Sequence, residues 1–326
     1  MHPIGTQARL LSNDVLAKWL LEDFPYRIQL APVFPILPIA GDQLRYATTG
    51  PLPPAVTIGQ CATIAEDTKQ PKDANRAHPI SEIATQFRVC YKAQDIFSSN
   101  ANDQVAVQMA LAVRELLYQF WTLFERGNVS ANPDEFDGLD RLVHPGNVID
   151  LQGRGLRTVD LHRVKELVRS NDGRGVVIFT SSVGKIAILE ALYARGAHPD
   201  YEEMQFPAPG GGFRSEQVLK FDGAPVYVND LNQVFECQGQ EVRGPVACES
   251  LPKYEGHDLA TNIWFFILGP GNLHGIMPAM ARNIIVRSTI LPDASTLVYH
   301  LSMPIALALG SAAGLAVIKN ATVPKG

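Results

Sequence analysis

Gly175–Ile186 (GVVIFTSSVGKI) is the segment whose residue types come nearest to a catalytic motif: an apolar strand pattern running through a turn into a helix. Gly184-Lys185 in that position suggests a P-loop, whose backbone N–H groups and lysine cradle phosphate. The P-loop pattern requires a glycine five positions before Gly184 and a Ser or Thr after the lysine. Phe179 and Ile186 stand there, so both the phosphate cradle and the metal-binding hydroxyl are missing. The same turn, Thr180 to Gly184, lacks the first glycine of a G-x-S-x-G nucleophile elbow. Ser181 or Ser182 is therefore expected to cap the helix that follows.

The other candidates carry less. Gly210-Gly-Gly212 follows Pro207 and Pro209 and reads as a flexible loop, because no strand–helix fingerprint surrounds it. No G-x-G-x-x-G occurs, and no histidines form an H-E-x-x-H pair. Cys61, Cys90, Cys237 and Cys248 are widely spaced, and the gaps from Cys237 to Cys248 to His257 fit no common zinc pattern. The acid pairs Glu202-Glu203 and Asp134-Glu135 are expected in loops as solvated surface. Arg154, Arg157, Arg163, Lys165, Arg169 and Arg174 form a basic cluster partly offset by Asp160, Glu166 and Asp172. It reads as a salt-bridged or solvated face, with contact to packaged nucleic acid or a neighbour as the alternative. No catalytic, cofactor-binding or metal-ligating residue is expected, and the chain is not expected to be an enzyme.

The elements around these residues are more informative. The chain has 326 residues, 46% of them hydrophobic and only 19% charged, with a net charge of −5. Disorder is excluded for most of it, and a dedicated nucleic-acid binder would carry a basic excess. Length alone suggests about two domains. Few charges beside 23 Pro and 26 Gly suggest a surface covered by something else. The N-terminus reads as a short amphipathic helix through Leu10, Leu11, Val15, Leu16, Trp19 and Leu20 rather than a signal peptide, so a reducing cytoplasm is expected. Seven prolines between Pro25 and Pro54 predict an extended arm. The β-like runs Ala62–Glu66 and Ile83–Ile96, separated by polar Asp67–Pro79, predict a long hairpin reaching ~40 Å, too far to pack wholly on its own domain.

A helix is predicted from Asn102 to Arg126, ~37 Å long, with Ser98, Ser99 or Asn100 as cap and Asp103 in its first turn. Met109, Val113, Leu116, Phe120 and Phe124 form its apolar face, and Gly127-Asn128 ends it. The middle of the chain alternates: strand Val148–Leu151, helix Val159–Arg169, strand Val176–Phe179, helix Val183–Ala194. Strands follow at Val218–Phe221, Val226–Val228, Ile263–Leu268 and Ile284–Ile290. The uncharged run Leu301–Ile318 contains the small-residue motif Gly310-Ser-Ala-Ala-Gly314. It fits either a membrane helix or one or two buried strands. The fold class is mixed α+β.

Arm, hairpin, long helix, α+β middle and closing strands, in that order, resemble the major capsid proteins of tailed bacteriophages, the Hong Kong 97-type capsid fold shared with encapsulin shells. Three segments carry the resemblance. Asn132–Leu139 (NPDEFDGL) looks like the family's F-x-G-L turn. Phe221–Asp230 (FDGAPVYVND) looks like its G-x-P-I…N-D strand pair, and Trp264–Met277 (WFFILGPGNLHGIM) is similar to its aromatic strand with glycines beyond.

The resemblance implies an N-terminal arm at 1–45, an extended loop at 46–92, a peripheral domain from 93–145 and 279–326 built on the long spine helix, and an axial domain at 146–278. It implies self-assembly through pentamers, hexamers and inter-capsomer contacts into an icosahedral head around double-stranded DNA. That DNA would touch the inner face non-specifically. Portal, scaffolding and decoration proteins are further expected partners, with no membrane and no cofactor. The long helical N-terminal extension that some members use as an internal scaffold has no counterpart here, which favours a separate scaffolding protein or unassisted assembly. The expected location is the virion, after assembly in the host cytoplasm; an encapsulin-like compartment around a protein cargo is the alternative, and a soluble α/β enzyme with an unrecognised site the more distant one. Some members join subunits by a Lys–Asn isopeptide bond. Lys69 and Lys72 near the loop tip and Asn283 or Asn320 in the closing region match no motif for it, so no such site is assigned.

Overall fold

The structure, a computed structural model, describes residues 29–48, 74–90, 104–168, 175–208, 212–229, 234–237, 240–243, 260–280, 284–290 and 296–322. In chain order the elements are β1 (Ile36–Ile39), β2 (Gln43–Thr48), β3 (Ala74–Pro79), β4 (Ser81–Cys90), α1 (Gln104–Arg126) and the single turn α2 (Leu139–Leu142). Next come β5 (Val148–Asp150), α3 (Thr158–Leu167), β6 (Val176–Thr180), α4 (Ser182–Tyr193), β7 (Asp200–Ala208), β8 (Gly212–Phe221) and β9 (Ala224–Val228). Strands then dominate: β10 (Val234–Cys237), β11 (Gln240–Arg243), β12 (Ala260–Ile267), β13 (Leu273–Pro278), β14 (Ile285–Ile290), β15 (Thr296–Leu309) and β16 (Leu315–Thr322).

A seven-stranded sheet in the order β5-β16-β12-β6-β9-β8-β7 occupies the centre. Its inner strands read as continuous apolar runs because both faces are covered. On β12, Trp264 and Phe266 enter the core that holds α1, while Ile263, Phe265 and Ile267 enter a second core against α3 and α4. β16 divides the same way, Leu315 and Val317 against Ala316 and Ile318. That is the two-residue period of a pleated strand, expressed here with apolar side chains at both phases.

A five-stranded sheet lies beside it: β1-β13-β15-β14, with β4 also paired to β15. Helix α1 packs Phe124 against Phe179 of the central sheet at 5.6 Å between ring centres, and against Phe34 at 5.3 Å. One core thus joins the spine helix to both sheets.

Two chain crossings tie the sheets together. The turn Leu268–Asn272 carries the chain from β12 to β13, and a short 3-10 turn at Ala312–Gly314 carries it back from β15 to β16. Gly310 donates its N–H to the Asn272 carbonyl at 3.2 Å. A Cβ on Gly310 would lie 2.4 Å from the Gly271 carbonyl oxygen, so the crossings touch backbone to backbone. The small-residue motif of the apolar run is this contact. The run itself forms two buried strands belonging to different sheets, and among the described residues no helix is long and apolar enough to cross a membrane.

The other quoted motifs have equally local causes. Gly138 of the F-x-G-L turn donates to the carbonyl of Gly127 at 2.8 Å where α1 ends. A Cβ on Gly127 would sit 2.1 Å from the Phe136 carbonyl oxygen, and one on Gly138 2.5 Å from that of Leu123. Phe136 and Leu139 are completely buried on either side of this contact. Asp222 and Gly223 join β8 to β9 with φ of 49° and 78°, the left-handed pair that a tight type I′ hairpin turn requires.

Four sequence expectations need correction. The hairpin's paired arms are β2 and β3, Gln43 facing Pro79 and Thr48 facing Ala74, so half of the polar segment Asp67–Pro79 is strand rather than tip. Ser81–Cys90 pairs instead with β15 along its whole length. Glu202-Glu203 lies on β7, which pairs with β8 from Asp200↔Lys220 to Ala208↔Gly212, so this acid pair is not in a loop and Gly212 belongs to a strand. Of the Pro-rich stretch only 29–48 is described: a turn at 29–33 precedes β1 and β2, Leu30 and Phe34 are buried in this chain's own core, and β1 pairs in parallel with β13. Pro38 is tolerated there because β1 is an edge strand. The N-terminal helix, the strand Ala62–Glu66, the expected cap residues Ser98–Asn100 and Asp103 lie outside the described residues.

Candidate assembly surfaces

The turn that suggested phosphate or hydrolase chemistry is structural. Ser181 is the N-cap of α4, its Oγ accepting from the Gly184 N–H at 3.3 Å and sharing a 2.7 Å hydrogen bond with Thr261 Oγ1. Gly184 is glycine because a Cβ would fall 1.8 Å from Thr180 Oγ1. Among the described residues no group of three or more His, Cys, Asp or Glu could hold a metal ion. Cys61, Cys248, His257 and residues 209–211 lie outside them, as do Arg169 and Arg174.

Two members of the basic cluster, Arg154 and Lys165, form intramolecular pairs. Arg154 donates two hydrogen bonds to Asp160, at 2.9 and 3.0 Å, and Asp160 also accepts from the Arg157 N–H at the start of α3. Lys165 bridges to Asp222 at the β8–β9 turn, and its ammonium holds the Asp222 carboxyl below the usual carboxylate range. Across the β7–β8 hairpin, Lys220 contacts Glu202 at 2.7 Å.

Two buried polar contacts position the elements. Glu125, near the end of α1, is buried and accepts from Trp264 Nε1 on β12 at 2.9 Å. Burial pushes its carboxyl up to about 7, partly opposed by the indole hydrogen bond. The cavity beside it is about 10 Å³, lined by Thr180, Ser181, Thr261 and Asn262 among others; that is room for a water and no substrate. At the hairpin base, Tyr46 on β2 hydrogen-bonds His274 Nε2 on β13 at 3.0 Å and meets the ring of His78 on β3 edge-on at 6.1 Å. Burial lowers the pKa of both histidines. They meet only through strand pairing, from positions nearly 200 residues apart, so no spacing in the sequence signals them.

The exposed surfaces are of two kinds. A groove of about 350 Å³ between α1 and β4 is lined by Glu82, Glu115, Asp134 and Glu135 with Ile83 and Leu116 at its floor; Thr85 Oγ1 donates to Glu115 at 2.6 Å across it. The five-stranded sheet ends in β14, where Val286 is 48% and Ile290 57% exposed. Residues Ile284–Ile290 are recognisable as a strand from their sequence, but nothing in it signals that, among the described residues, they end a sheet with exposed side chains. Lys69, Lys72 and Asn283 lie outside the described residues. Asn320 sits on β16 and donates from Nδ2 to Asp150 at 2.9 Å within the same sheet.

No protein-family model matches the sequence, and no curated protein matches it. Solved structures do. The SrpI encapsulin of Synechococcus elongatus PCC 7942, from its holo complex, superposes with a TM-score of 0.66 at 16% identity, covering 94% of this chain and 92% of that one. The capsid of cyanophage A-1(L) gives 0.61 at 15% identity, with 92% and 93% covered. The capsid of a native GTA particle gives 0.58 at 12%, with 90% and 89% covered. The chain has the Hong Kong 97-type capsid fold, a mixed α+β architecture that the phage capsids and the encapsulin share.

Proposed function

We propose that this chain is a structural shell protein that assembles through pentamers and hexamers into an icosahedral phage head enclosing double-stranded DNA. The observation that carries this is the end-to-end match of its fold to capsid and encapsulin subunits over nine-tenths of the chain. We assign the chain no enzymatic role, because the structures it resembles are those of shell proteins.

The division into arm (1–45), extended loop (46–92), peripheral domain (93–145 and 279–326) and axial domain (146–278) belongs to this proposal. Strand pairing favours counting β4 with the peripheral sheet, whose β15 it joins. Self-association is the principal interaction. Portal, scaffolding and decoration proteins would complete a phage head, the DNA touching its inner face without sequence preference. The virion is the proposed location, following assembly in the host cytoplasm.

A second reading has its own support: the SrpI superposition, at 0.66, exceeds those of the phage capsids described above. On that reading the shell encloses a protein cargo. Particles purified from the producing cells separate the two. Nuclease-protected double-stranded DNA inside them favours the phage head, and a co-purifying enzyme favours the compartment. Protein that elutes only as a monomer or dimer overturns both.

A further inference from the structure

Strand β14 forms the end of the five-stranded sheet and, among the described residues, pairs only with β15. Its register with β15 runs unbroken from Ile285↔Ser302 to Ile290↔Leu297. The opposite edge therefore offers a regular row of backbone donors and acceptors. Soluble proteins blunt such edges with proline, lysine, a bulge or a covering element. β14 has neither proline nor lysine (IVRSTI), and its only charge is Arg287.

Its side chains are also uncovered. By pairing, Val286 and Ile290 lie on the same sheet face as Leu301 and Leu297, the face carrying α1. Yet both are about half exposed, so α1 does not reach them. Two β-branched apolar residues four positions apart on one face of an edge that no described residue covers are what a further strand would bury.

The sequence of the strand says which one. Written about Ser288, it is nearly a palindrome: Val286 mirrors Ile290, and Arg287 mirrors Thr289. A two-fold axis through the sheet that keeps both copies' α1 on the same side allows only registers in which residues of one face oppose residues of the same face. Centring on Arg287 would set two arginines directly opposite, a destabilising arrangement. Centring on Ser288 sets Val286 opposite Ile290 twice, Arg287 opposite Thr289 twice, and Ser288 opposite itself. An isologous contact needs this kind of self-complementarity.

We propose that β14 pairs antiparallel with β14 of a second copy across a two-fold axis at Ser288, fusing two five-stranded sheets into one. The inference rests on the shell reading, because it takes a second copy of this chain as the occupant. It adds to that reading a specific strand, register and symmetry element.

The test is Ser288→Cys in otherwise native protein, assembled and then mildly oxidised. Directly opposed residues in an antiparallel pair have Cα atoms ~4.5–5.5 Å apart, within the ~4.4–6.8 Å that a disulfide spans. The expected result is that most of the chain runs as a covalent dimer on a non-reducing denaturing gel and returns to monomer on reduction. Wild type, with its four native cysteines, supplies the baseline. Arg287→Cys, which would face Thr289 of the other copy, should stay at that baseline.

Particles of the Ser288→Cys variant in which the introduced thiol stays free overturn the pairing, as does equal cross-linking of both variants. Should Ser288→Cys block assembly, hydrogen exchange on wild type decides. Amides of 285–290 should exchange at least ~10-fold more slowly in particles than in unassembled subunits if the edge becomes paired, and unchanged exchange overturns the proposal. Protected amides, with the Ser288→Cys variant still monomeric on the gel after oxidation of intact particles, would mean that a different segment covers the edge, and also overturn it. Wild-type protein that forms no particles refutes the shell reading itself, before any variant is made.

Discussion

The two large sheets solve the problem of burial in opposite ways. The seven-stranded sheet is closed from within: α1 covers one face, α3 and α4 the other, and the side chains of β12 and β16 are buried at both phases. Among the described residues the five-stranded sheet is covered at its β13 end, where Phe34 lies on one face and the β2–β3 hairpin packs Tyr46 beside His274 on the other, and is open at its β14 end. Glu82, Ala84, Gln86 and Arg88 of β4 alternate outward, and every residue of β14 after Ile285 is exposed. Among the described residues the inner strands of the first sheet are covered by their own chain, and only its β7 end is open, with Tyr201 42% exposed. The second leaves β14 exposed, and the proposed shell assembly would cover that edge with a neighbour.

The largest effects are expected in the core shared by the two sheets and at the joint between them. Gly310→Ala places a methyl 2.4 Å from the Gly271 carbonyl oxygen, with only backbone to give way. We expect a loss of about 3 kcal/mol or more, the upper end for overpacking, read by urea unfolding of the subunit. A loss below ~1 kcal/mol would show that the crossings can separate freely. Phe124→Ala, which empties the core shared by α1 and both sheets, should cost ~3–5 kcal/mol. An equivalent truncation on β14, Ile290→Ala, should leave subunit stability within ~0.5 kcal/mol and act on particle yield instead. Equal destabilisation by the two would erase the contrast between the sheets.

Glu125 gives a pH-dependent test of the closed region. Its carboxyl is pushed up to about 7 in the folded chain, against an ordinary value of 4.5. Between those values the folded state holds a proton that the unfolded chain has released. Its contribution to stability is therefore full below about 4.5, falls as pH rises, and is gone above about 7. The total is roughly 3 kcal/mol. Glu125→Gln, which retains an acceptor for Trp264 Nε1, should flatten this part of the stability–pH profile. An unchanged slope would assign it to other groups.

Smaller effects are expected at the hairpin base and on the surface. Tyr46→Phe removes the hydrogen bond to His274 and should cost about 1 kcal/mol, with faster amide exchange in β2 and β3. Asp222→Asn keeps a residue that tolerates positive φ and loses only the exposed bridge to Lys165, for a change under about 1 kcal/mol.

Legibility in the sequence followed the same division. Strands buried on both faces, such as Trp264–Ile267 and Leu315–Ile318, announced themselves as apolar runs. The spine helix was visible in the three- and four-residue steps from Met109 to Phe124. The quoted glycine motifs were recognisable as patterns, but their cause, backbone meeting backbone at Gly127–Gly138 and Gly271–Gly310, exists only in three dimensions. β3 and β7 were misread because Ala74–Pro79 and Asp200–Glu203 are polar. Their strand character comes from partners: β2, whose residues are about 30 positions away, and β8 across a Pro-Gly-rich turn. The Tyr46–His78–His274 contact had no local signature either.

Electron microscopy of the purified, expressed protein tests the central claim most directly. The account predicts uniform closed shells, whose subunits after boiling in denaturant run as a monomer near 35.6 kDa. A monodisperse monomer or dimer with no particles in the field would contradict it.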